Sequence, residues 1–465
     1  MKKFLLILCS ILLLSGLIIS GCAEPEAAPA PAPAPKPEPK PAPAPAPGPK
    51  APKEILIGDT VSFTGKYAGF GQGHFGAEAA VEDINKLGGV YVEEYDTKIP
   101  VRYIALDTGS DMLKVAPLAE DLVLTEKVHF LGTTLDPPEM RLGMADVADK
   151  YGIPAVPGVG PFESWMSIKE GAGAEWKYTW AYGFAIATPT AQGDFREGNP
   201  GYSMMATYFG ALEEFGAATN KKIAVAALDD LDGNAWYTGF SDYAKGIGYD
   251  PYRTEDRFGI FPGDVTDFTP VIEDWKDYGC EMLWCNSPGV HMGILWKQCH
   301  VLGFQPKAVF STRGALFFRD VEAWGGDLPH AVGMETFWDP SIQNAPGIGD
   351  TTPRSLEQRW LDATGEPLNQ SIGWSYMGMQ VIFDAIERAG TLDGAAVVAA
   401  LDETDLNTMW GRVVFEEGTQ FQRIPTQFGQ WVKTDNPWVW EYNVVLSFND
   451  FLPATAEFIF PMPYD

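Results

Sequence analysis

The sequence predicts a two-lobed α/β protein in which each lobe is a mainly parallel open sheet flanked by helices. From Glu54 onward, short β-branched or apolar runs alternate with helical patterns, as they do in parallel sheets covered by helices. The alternation is interrupted once by an irregular stretch and then starts again. About 410 residues follow this point, which is too many for one ordinary core and enough for two lobes.

The N-terminus carries an export signal. Lys2 and Lys3 precede an apolar run from Phe4 to Ile19, long enough for the hydrophobic region of a signal peptide. A transmembrane anchor is the alternative, because such a run could nearly span a bilayer if it were extended. The following Ser-Gly-Cys resembles a bacterial lipobox, which predicts a signal peptide over residues 1–22 and a lipidated, palmitate-bearing Cys22. We expect an exported lipoprotein anchored to the cell envelope.

Residues 23–53 form a tether. They are almost entirely Ala and Pro with a few Lys and Glu, a composition that favours polyproline II and cannot bury a core. At ~3.1 Å per residue, about thirty residues reach on the order of 90 Å. The folded body therefore begins near Glu54.

The first lobe is predicted from seven alternating segments: the strand EILIGDTV, the helix HFGAEAAVEDINKLGG, the strand IPVRYIALD, the helix MLKVAPLAEDLVLTEK, the strand VHFLGTT, the helix PPEMRLGMADVADKYG and the strand IPAVPG. The pattern then breaks over about 35 residues from Val159, which are rich in glycine and aromatics and show no helical period. Such a stretch inside a compact domain is usually functional or crosses between domains.

The second lobe follows the same pattern. Its predicted elements are a helix over 202–215, the strand KKIAVAAL, the helix NAWYTGFSDYAKGIG, the helical segment DVTDFTPVIEDWKDYG, the strand CEMLWC, the helix VHMGILWKQCHVLG, and the strands KAVFST and AVGMETFW. Three late helices and three late strands follow, and we expect them to divide between the lobes. The predicted division is 54–185 plus 340–405 for lobe 1, 186–339 plus 406–447 for lobe 2, and a tail over 448–465. The apolar, Pro-rich tail is expected to pack on a lobe, with partner contact as the alternative.

Charge and motifs exclude several functions. A formal net charge of -29 opposes nucleic-acid binding, which needs a basic footprint. There is no G-x-S-x-G elbow, H-E-x-x-H motif or Walker loop, and the five histidines lie in unrelated contexts. We therefore expect a protein that is not an enzyme and uses no cofactor.

Three cysteines remain after the signal and the lipidation site, with the spacing C-x4-C-x13-C. A zinc site with nearby histidines is formally possible. However, Cys280 and Cys285 would lie at opposite ends of one strand, about 16 Å apart at ~3.3 Å per residue. If the next helix runs back beside that strand, Cys299 falls near Cys280. A Cys280–Cys299 disulfide is thus favoured over a metal site, and no metal is expected.

The sequence Gly71-x-Gly73-x-x-Gly76 has the spacing of a dinucleotide-binding loop. In a true fingerprint the first glycine ends the strand, so that the pyrophosphate meets the helix N-terminus. Here the apolar run Ile55-Leu56-Ile57 ends roughly ten residues earlier. A nucleotide site is disfavoured.

The chain resembles the type I periplasmic binding proteins of ABC transporters, specifically the branched-chain amino acid (Leu/Ile/Val) binding-protein family, over residues 54 to about 447. The resemblance is carried by ILIGDTVSFTGKYAGFGQGHFGAEAAVEDINKLGGV, LAEDLVLTEKVHFLGTT, KYGIPAV, FPGDVTDFTPVIEDWKDYG and SYMGMQVIFDAIERAGTLDGAAVVAAL. It implies a hinged cleft between two lobes that captures a small solute for an ABC permease and ATPase. The same module also serves in ligand-sensing receptors, which is the alternative function. We expect a monomer that contacts the membrane through its N-terminal lipid only.

The resemblance implies a ligand-binding site built from loops after the strands. The predicted contacts are Ser62, Phe63, Thr64, Tyr67, Thr133, Thr134, Tyr182, Asp232, Trp236, Ser287 and Arg313.

Two departures from the family pattern bear on the ligand. Asp136 follows Thr133 and Thr134 in a turn where amino-acid binders place hydroxyls, and capping of a helix that starts at Pro137 is favoured over ligand contact. Arg313 stands where amino-acid binders carry an acid for the ligand ammonium. A guanidinium there would favour carboxylates, unless Arg313 points away and pairs with a surface carboxylate.

Aromatic side chains are dense near the expected cleft: Trp165, Trp176, Trp180, Tyr182, Phe184, Trp236, Trp284, Trp338 and Trp374. Most are expected to pack in the core or between the lobes. A minority that face the cleft would suit a flat or apolar solute. The predicted ligand is a carboxylate, aromatic or apolar, or an amino acid.

Overall fold

The computed structural model describes residues 49–171, 173 and 175–464, which belong to one compact unit. The predicted signal peptide, Cys22 and most of the tether lie outside the described residues. Among those that are described, none of the helices combines the length and hydropathy that a bilayer-spanning segment requires.

The described chain contains nineteen strands: β1 (Ile55–Val61), β2 (Val90–Val92), β3 (Thr97–Ile99), β4 (Val101–Asp107), β5 (Phe130–Leu131), β6 (Leu135–Asp136), β7 (Gly158–Pro161), β8 (Ala181–Phe184), β9 (Lys222–Leu228), β10 (Asp250–Pro251), β11 (Ile260–Phe261), β12 (Met282–Asn286), β13 (Ala308–Thr312), β14 (Gly333–Thr336), β15 (Asp405–Thr408), β16 (Gly411–Val414), β17 (Phe421–Arg423), β18 (Gln427–Lys433) and β19 (Trp440–Ser447).

The same residues form thirteen α-helices: α1 (Ala68–Gly71), α2 (His74–Lys86), α3 (Val115–Leu124), α4 (Leu142–Tyr151), α5 (Phe162–Gly171), α6 (Met204–Glu214), α7 (Leu231–Gly246), α8 (Thr269–Tyr278), α9 (Gly289–Val301), α10 (Phe318–Trp324), α11 (Pro353–Thr364), α12 (Ser371–Ala389) and α13 (Gly394–Asp402).

The first lobe is built on parallel strands in two sections, β4-β1-β5 and β6-β7-β8-β17. Isolated bridges from Leu131 to Ala155 and from Ala155 to Thr179 connect the two sections. The second lobe is an eight-stranded sheet with the order β10-β9-β12-β13-β14-β18-β19, in which β11 also pairs with β9. Its first part is parallel, and β18 and β19 add an antiparallel edge. The predicted fold class of two mainly parallel sheets with helices is confirmed.

The chain passes between the two sheets three times: after β8, after β14 and between β17 and β18. Arg196 lies in the first passage and is fully buried. Its guanidinium donates to the side chain of Gln422 and the carbonyl of Arg423, both at 3.1 Å. These contacts hold the first connecting segment against β17, the strand that precedes the last passage.

Two local predictions were wrong. The stretch from Val159 was expected to lack a helical period, yet it contains α5 between β7 and β8, and Trp165 of this helix packs on Trp176 with ring centroids 4.6 Å apart. The predicted division placed 406–447 in lobe 2, whereas β17 pairs with β8 in the first sheet. One short strand thus returns to lobe 1 before the chain enters β18.

The C-terminal tail packs on the second lobe, as one of the two alternatives predicted. Leu452 is fully buried, and the backbone N–H of Thr455 donates to the carbonyl of Val444 on β19 at 2.7 Å. The hydroxyl of Tyr464 donates to the carbonyl of Pro306, just before β13, at 2.6 Å.

The glycines with dinucleotide-like spacing serve close packing. A Cβ added at Gly76 would overlap the carbonyl oxygen of Ile372, so this glycine lets α2 lie directly against α12. A Cβ at Gly71 would likewise overlap the carbonyl of Ser62. The requirement for glycine at both positions comes from backbone-to-backbone contact.

Candidate functional site

A small cavity of about 20 Å³ lies between the two lobes. Its first-lobe wall comes from α1, β6, β7 and the end of β8. Its second-lobe wall comes from α7, the segment after β13, and the end of β14 with the residue that follows it. Ligands of open α/β sheets bind beyond the carboxyl ends of the strands. This volume holds about one water molecule and is well below the roughly 300–1,000 Å³ of small-molecule sites, so a solute enters only if the lobes move apart.

Four aromatic side chains line this cavity: Phe70, Phe184, Trp236 and Phe337. Phe184 of the first lobe stacks on Phe337 of the second, with centroids 4.5 Å apart, and lies 5.5 Å from Trp236. All four are buried. Of the aromatic residues noted in the sequence, Phe184 and Trp236 face the cavity, while Trp284, Trp338 and Trp374 are fully buried in the core.

Arg313 lies in the cavity wall, but its guanidinium is already bound. Nη1 donates to Oδ2 of Asp230 at 2.9 Å and Nη2 to Oδ1 at 3.3 Å, while Nε lies 3.6 Å from Oδ2 of Asp232. Its backbone adopts φ +62°, which is uncommon for a residue other than glycine, and its N–H donates to Glu335 at 2.6 Å. Arg313 thus faces the cleft and also pairs with a carboxylate, that of Asp230 at the N-terminus of α7.

Asp230 serves two groups at once. It is the N-cap of α7, where Oδ1 accepts the N–H of Gly233 at 2.7 Å, and it holds Arg313. Burial acts to raise its pKa, but the Arg313 charge and these hydrogen bonds outweigh burial, so the pKa of Asp230 lies below its ordinary value. The pair is a fixed part of the cavity wall.

The expected capping role of Asp136 was wrong. The residues after it form a 3₁₀ turn capped by Pro137, and α4 begins only at Leu142, so neither start uses the Asp136 side chain. Asp136 instead lines the cavity, fully buried, with Oδ2 accepting from Ser62 at 2.9 Å. Oδ1 has no hydrogen-bond partner among the described residues.

Three carboxyl groups in the wall have unusual pKa values. Burial raises the pKa of Asp136, Asp232 and Glu335 to about 7 in each case. Arg141 partly opposes this effect at Asp136, and Arg313 does so at Asp232. At Glu335 the opposing groups are the Arg313 N–H and the Tyr208 hydroxyl. Perturbed carboxyls converging on one cavity are typical of a binding site.

The remaining predicted residues lie mostly behind the wall. The Tyr67 hydroxyl lies 3.0 Å from Oε1 of Glu139 and 3.5 Å from Oδ2 of Asp230, so it reaches from the first lobe to the second. Thr134 donates to Asp59 at 2.6 Å, and Tyr182 donates to the carbonyl of Thr133. These contacts fix the loops that form the cavity.

Three predicted residues lie farther out. Phe63 packs its ring edge on His74 and lines a separate surface groove, and the exposed Thr64 donates to Asp107 at 2.7 Å. Ser287 is fully buried with Oγ 3.4 Å from Sγ of Cys285. The structure therefore brings Asp232, Trp236 and Arg313 of the predicted set into the cavity wall and positions the others around it.

Sequence reasoning missed Phe70, Leu316, Glu335 and Phe337. Glu335 could have been identified from the sequence, because it is a charged residue within the apolar run AVGMETFW, near the end of β14. A buried charge at the carboxyl end of a parallel strand is typical of a site.

The predicted Cys280–Cys299 disulfide is not formed, and the three cysteines of the described region are free and buried. Burial first, and the neighbouring Cys285 thiol second, raise the pKa of Cys299.

A model of the periplasmic binding protein family matches residues 54–436. The chain belongs to this family. Among relatives of this periplasmic binding protein, "Leu/Ile/Val-binding protein homolog 3" from Brucella melitensis biotype 1 is 25% identical over 381 residues, covering 78% of this chain and 88% of the relative.

Solved structures of low sequence identity share the fold of this periplasmic binding protein. A substrate binding protein of a branched-chain amino acid transporter from Streptococcus pneumoniae, in complex with isoleucine, is 15% identical with a TM-score of 0.63, covering 82% of this chain and 97% of the other. A solute binding protein of an ABC transporter from Rhodopseudomonas palustris BisB5, in complex with 3,4-dihydroxybenzoic acid, is 17% identical with a TM-score of 0.62, covering 85% and 97%.

Family membership fixes the broad class of this periplasmic binding protein. It is a solute-binding protein that acts outside the cytoplasm, and it is not an enzyme. The cavity between the lobes is the part of the structure that matches this role.

Proposed function

We propose that the protein captures a small organic solute in the interlobe cavity and delivers it to the permease and ATPase of an ABC importer. The observation that carries this proposal is a small cavity between the lobes, lined at the carboxyl ends of strands from both sheets. Hinged lobes that close around a ligand offer a permease two distinct shapes, solute-loaded and empty.

The relatives support this function, since one is named for binding Leu/Ile/Val and two were solved in complex with isoleucine or an aromatic acid. An amino acid or an aromatic carboxylate is therefore a candidate class for this chain. A carboxylate would reach the Arg313 guanidinium only by displacing Asp230, which occupies both ends of the guanidinium fork.

We further propose that the mature protein is monomeric and held at the cell envelope through lipid on Cys22. The lipobox-like sequence and the Ala/Pro-rich segment after it support this anchoring. A tether on the order of 90 Å would let the folded body reach both its solute and the permease.

A cavity-filling variant tests solute capture. Gly160 lines the cavity, its φ is compatible with any residue, and a Cβ there would make only ordinary contacts, 3.5 Å from Pro138 and 3.8 Å from Asp232. The Gly160→Phe side chain should fill the cavity and abolish ligand-induced stabilisation. The readout is a thermal-shift screen against amino acids, aromatic acids, short dicarboxylates, amides and amines, where ligand at a hundred times Kd adds ~2.7 kcal/mol.

The matched control is Gly171→Phe at the exposed end of α5, where a Cβ would meet nothing within 4 Å. Binding that is lost in Gly160→Phe and retained in Gly171→Phe supports the cavity as the site. Undiminished binding by a folded Gly160→Phe protein would contradict it.

A further inference from the structure

The wall of the interlobe cavity, together with the layer behind it, contains more carboxylates than guanidinium groups. Arg141 is bound to Asp59 at 2.9 Å, and Arg313 is bound to Asp230 at 2.9 Å. Four further carboxyl groups remain, at Asp136, Glu139, Asp232 and Glu335. Where these four carboxyls are ionised, none of them has a cation of its own at hydrogen-bond distance among the described residues.

The short contacts of these four carboxyls come from neutral donors. Ser62 donates to Asp136 at 2.9 Å, Tyr67 to Glu139 at 3.0 Å, Asn286 to Asp232 at 3.3 Å and Tyr208 to Glu335 at 2.7 Å. The two guanidinium groups are more distant, 3.8 Å from Asp136 for Arg141 and 3.6 Å from Asp232 for Arg313.

Asp136 carries an unused acceptor at this site. The residue is fully buried and lines the cavity, and its Oδ1 has no hydrogen-bond partner in the described part of the chain. A buried polar atom without a partner destabilises the structure that contains it. A ligand that donates an N–H to this oxygen would remove that destabilisation.

The aromatic wall suits the same kind of ligand. Phe70, Phe184, Trp236 and Phe337 offer apolar contact to a hydrocarbon body and ring faces to a cation. A carboxylate, in contrast, would be placed among Asp136, Asp232 and Glu335. It would also have to displace Asp230, which caps α7, from Arg313.

We infer that the solute is a protonated amine with an aromatic or apolar body and no carboxylate group, and that Asp136 accepts a hydrogen bond from its ammonium. This inference rests on the proposed function, because it names the ligand class of the same cavity. The negative wall then balances the ligand charge, and the aromatic residues enclose the ligand body.

Ligands that share one body but differ in charge test this inference. The first set is 2-phenylethylamine, phenylalanine and 3-phenylpropionate, and the second is isoamylamine, leucine and 4-methylpentanoate. Isothermal titration of the purified protein should show each amine binding at least tenfold more tightly than its two partners. Asp136→Asn, which keeps the side-chain shape, should weaken amine binding at least tenfold. Asp264→Asn in an exposed loop is the control and should have no effect.

Tighter binding of an amino acid or carboxylate than of its matched amine would overturn the inference while supporting solute capture. Unchanged amine binding by a folded Asp136→Asn protein would also overturn it. If Asp136→Asn does not fold, amine binding by Asp232→Asn and the comparison of amine, amino acid and carboxylate binding by the wild-type protein test the inference instead. Silence of all six compounds would reject this ligand class, and the broader screen with Gly160→Phe would then decide on solute capture separately.

Discussion

At the scale of single residues, the charge of the interlobe cavity depends on which buried carboxyl groups bind the two guanidinium groups. Asp230 keeps its negative charge because it binds Arg313 directly, whereas Asp232, two residues later, lies 3.6 Å from the same guanidinium. Burial therefore lifts the pKa of Asp232 to about 7. The same logic applies to Asp136 and Glu335, whose short contacts are with uncharged donors.

These pKa values predict a pH dependence of stability. A carboxyl of the unfolded chain titrates near 3.9, so between about pH 4 and 7 the folded state binds more protons than the unfolded state. The free energy of unfolding should then fall as pH rises, by up to ~1.4 kcal/mol per pH unit for each group. Asp232→Asn removes one such group, so urea unfolding at pH 5, 6 and 7 should show a shallower decline. Asp264→Asn should follow the wild type, and identical slopes for all three proteins would contradict the assignment.

At the scale of elements, the first lobe depends on close backbone contact between α2 and α12. These two helices pack so tightly at Gly76 that a side chain there would overlap the carbonyl of Ile372. The helix α12 is almost wholly buried and also contacts α13 and β2. The glycine spacing that resembles a nucleotide loop is thus explained by helix packing.

Gly76→Ala should destabilise the protein by about 1–3 kcal/mol, because the added methyl forces α2 away from α12. Gly246→Ala, at the end of α7, is the matched control, since a Cβ there meets nothing within 4 Å. That change should be neutral or stabilise by up to ~1 kcal/mol through helix propensity. Urea unfolding measures both, and equal effects of the two substitutions would contradict the packing role of Gly76.

At the scale of the whole molecule, the lobes meet through side chains beside the cavity. Phe70 of α1 packs edge-on against Phe317, just before α10, with centroids 4.8 Å apart, and Tyr67 reaches Asp230. A Cβ at Gly69 would overlap the Phe317 ring, so the chain there is shaped for this contact. Lobe closure and solute retention should therefore be coupled through Phe317.

Phe317→Ala should speed solute release about tenfold, because an aromatic pair contributes about 0.5–1.5 kcal/mol beyond the area it buries. Stopped-flow dissociation of the solute that stabilises the protein most in the thermal-shift screen measures this rate. Phe215→Ala serves as the control, since that residue is 40% exposed and packs on Phe458 of the tail. An unchanged off-rate in a folded Phe317→Ala protein would show that this contact does not hold the lobes together.

Much of the fold was predictable because the local pattern of apolar residues matches the burial of the strands and helices in the folded protein. After its two lysines, the run KKIAVAAL is uniformly apolar or small, and these residues of β9 are buried. The buried stripe of α2 is likewise visible in the sequence. The short strand β17 was assigned to the wrong lobe because nothing in the sequence of its three residues indicates which sheet they join. Only its pairing with β8 places it in the first sheet.

The cavity was predictable only in part. The family resemblance brought Asp232, Trp236 and Arg313 to the right region. The Asp-Pro sequence at 136–137 also fits a helix start, and the capping expectation failed because the chain makes a 3₁₀ turn before α4 begins. The side chain of Asp136 caps no helix and instead lies in the cavity wall, close to Ser62 and Arg141.

By itself, the sequence determined the alternating α/β architecture, the two-lobed organisation and the family, because periodicity and composition are properties of neighbouring residues. Only the tertiary structure decided that Arg313 is held by Asp230, and that one oxygen of Asp136 in the cavity has no partner in the described part of the chain. The charge that a ligand meets depends on which side chains pair across 80 or more residues of chain. Such pairing is a property of the folded lobes, since folding alone brings these groups within hydrogen-bond distance.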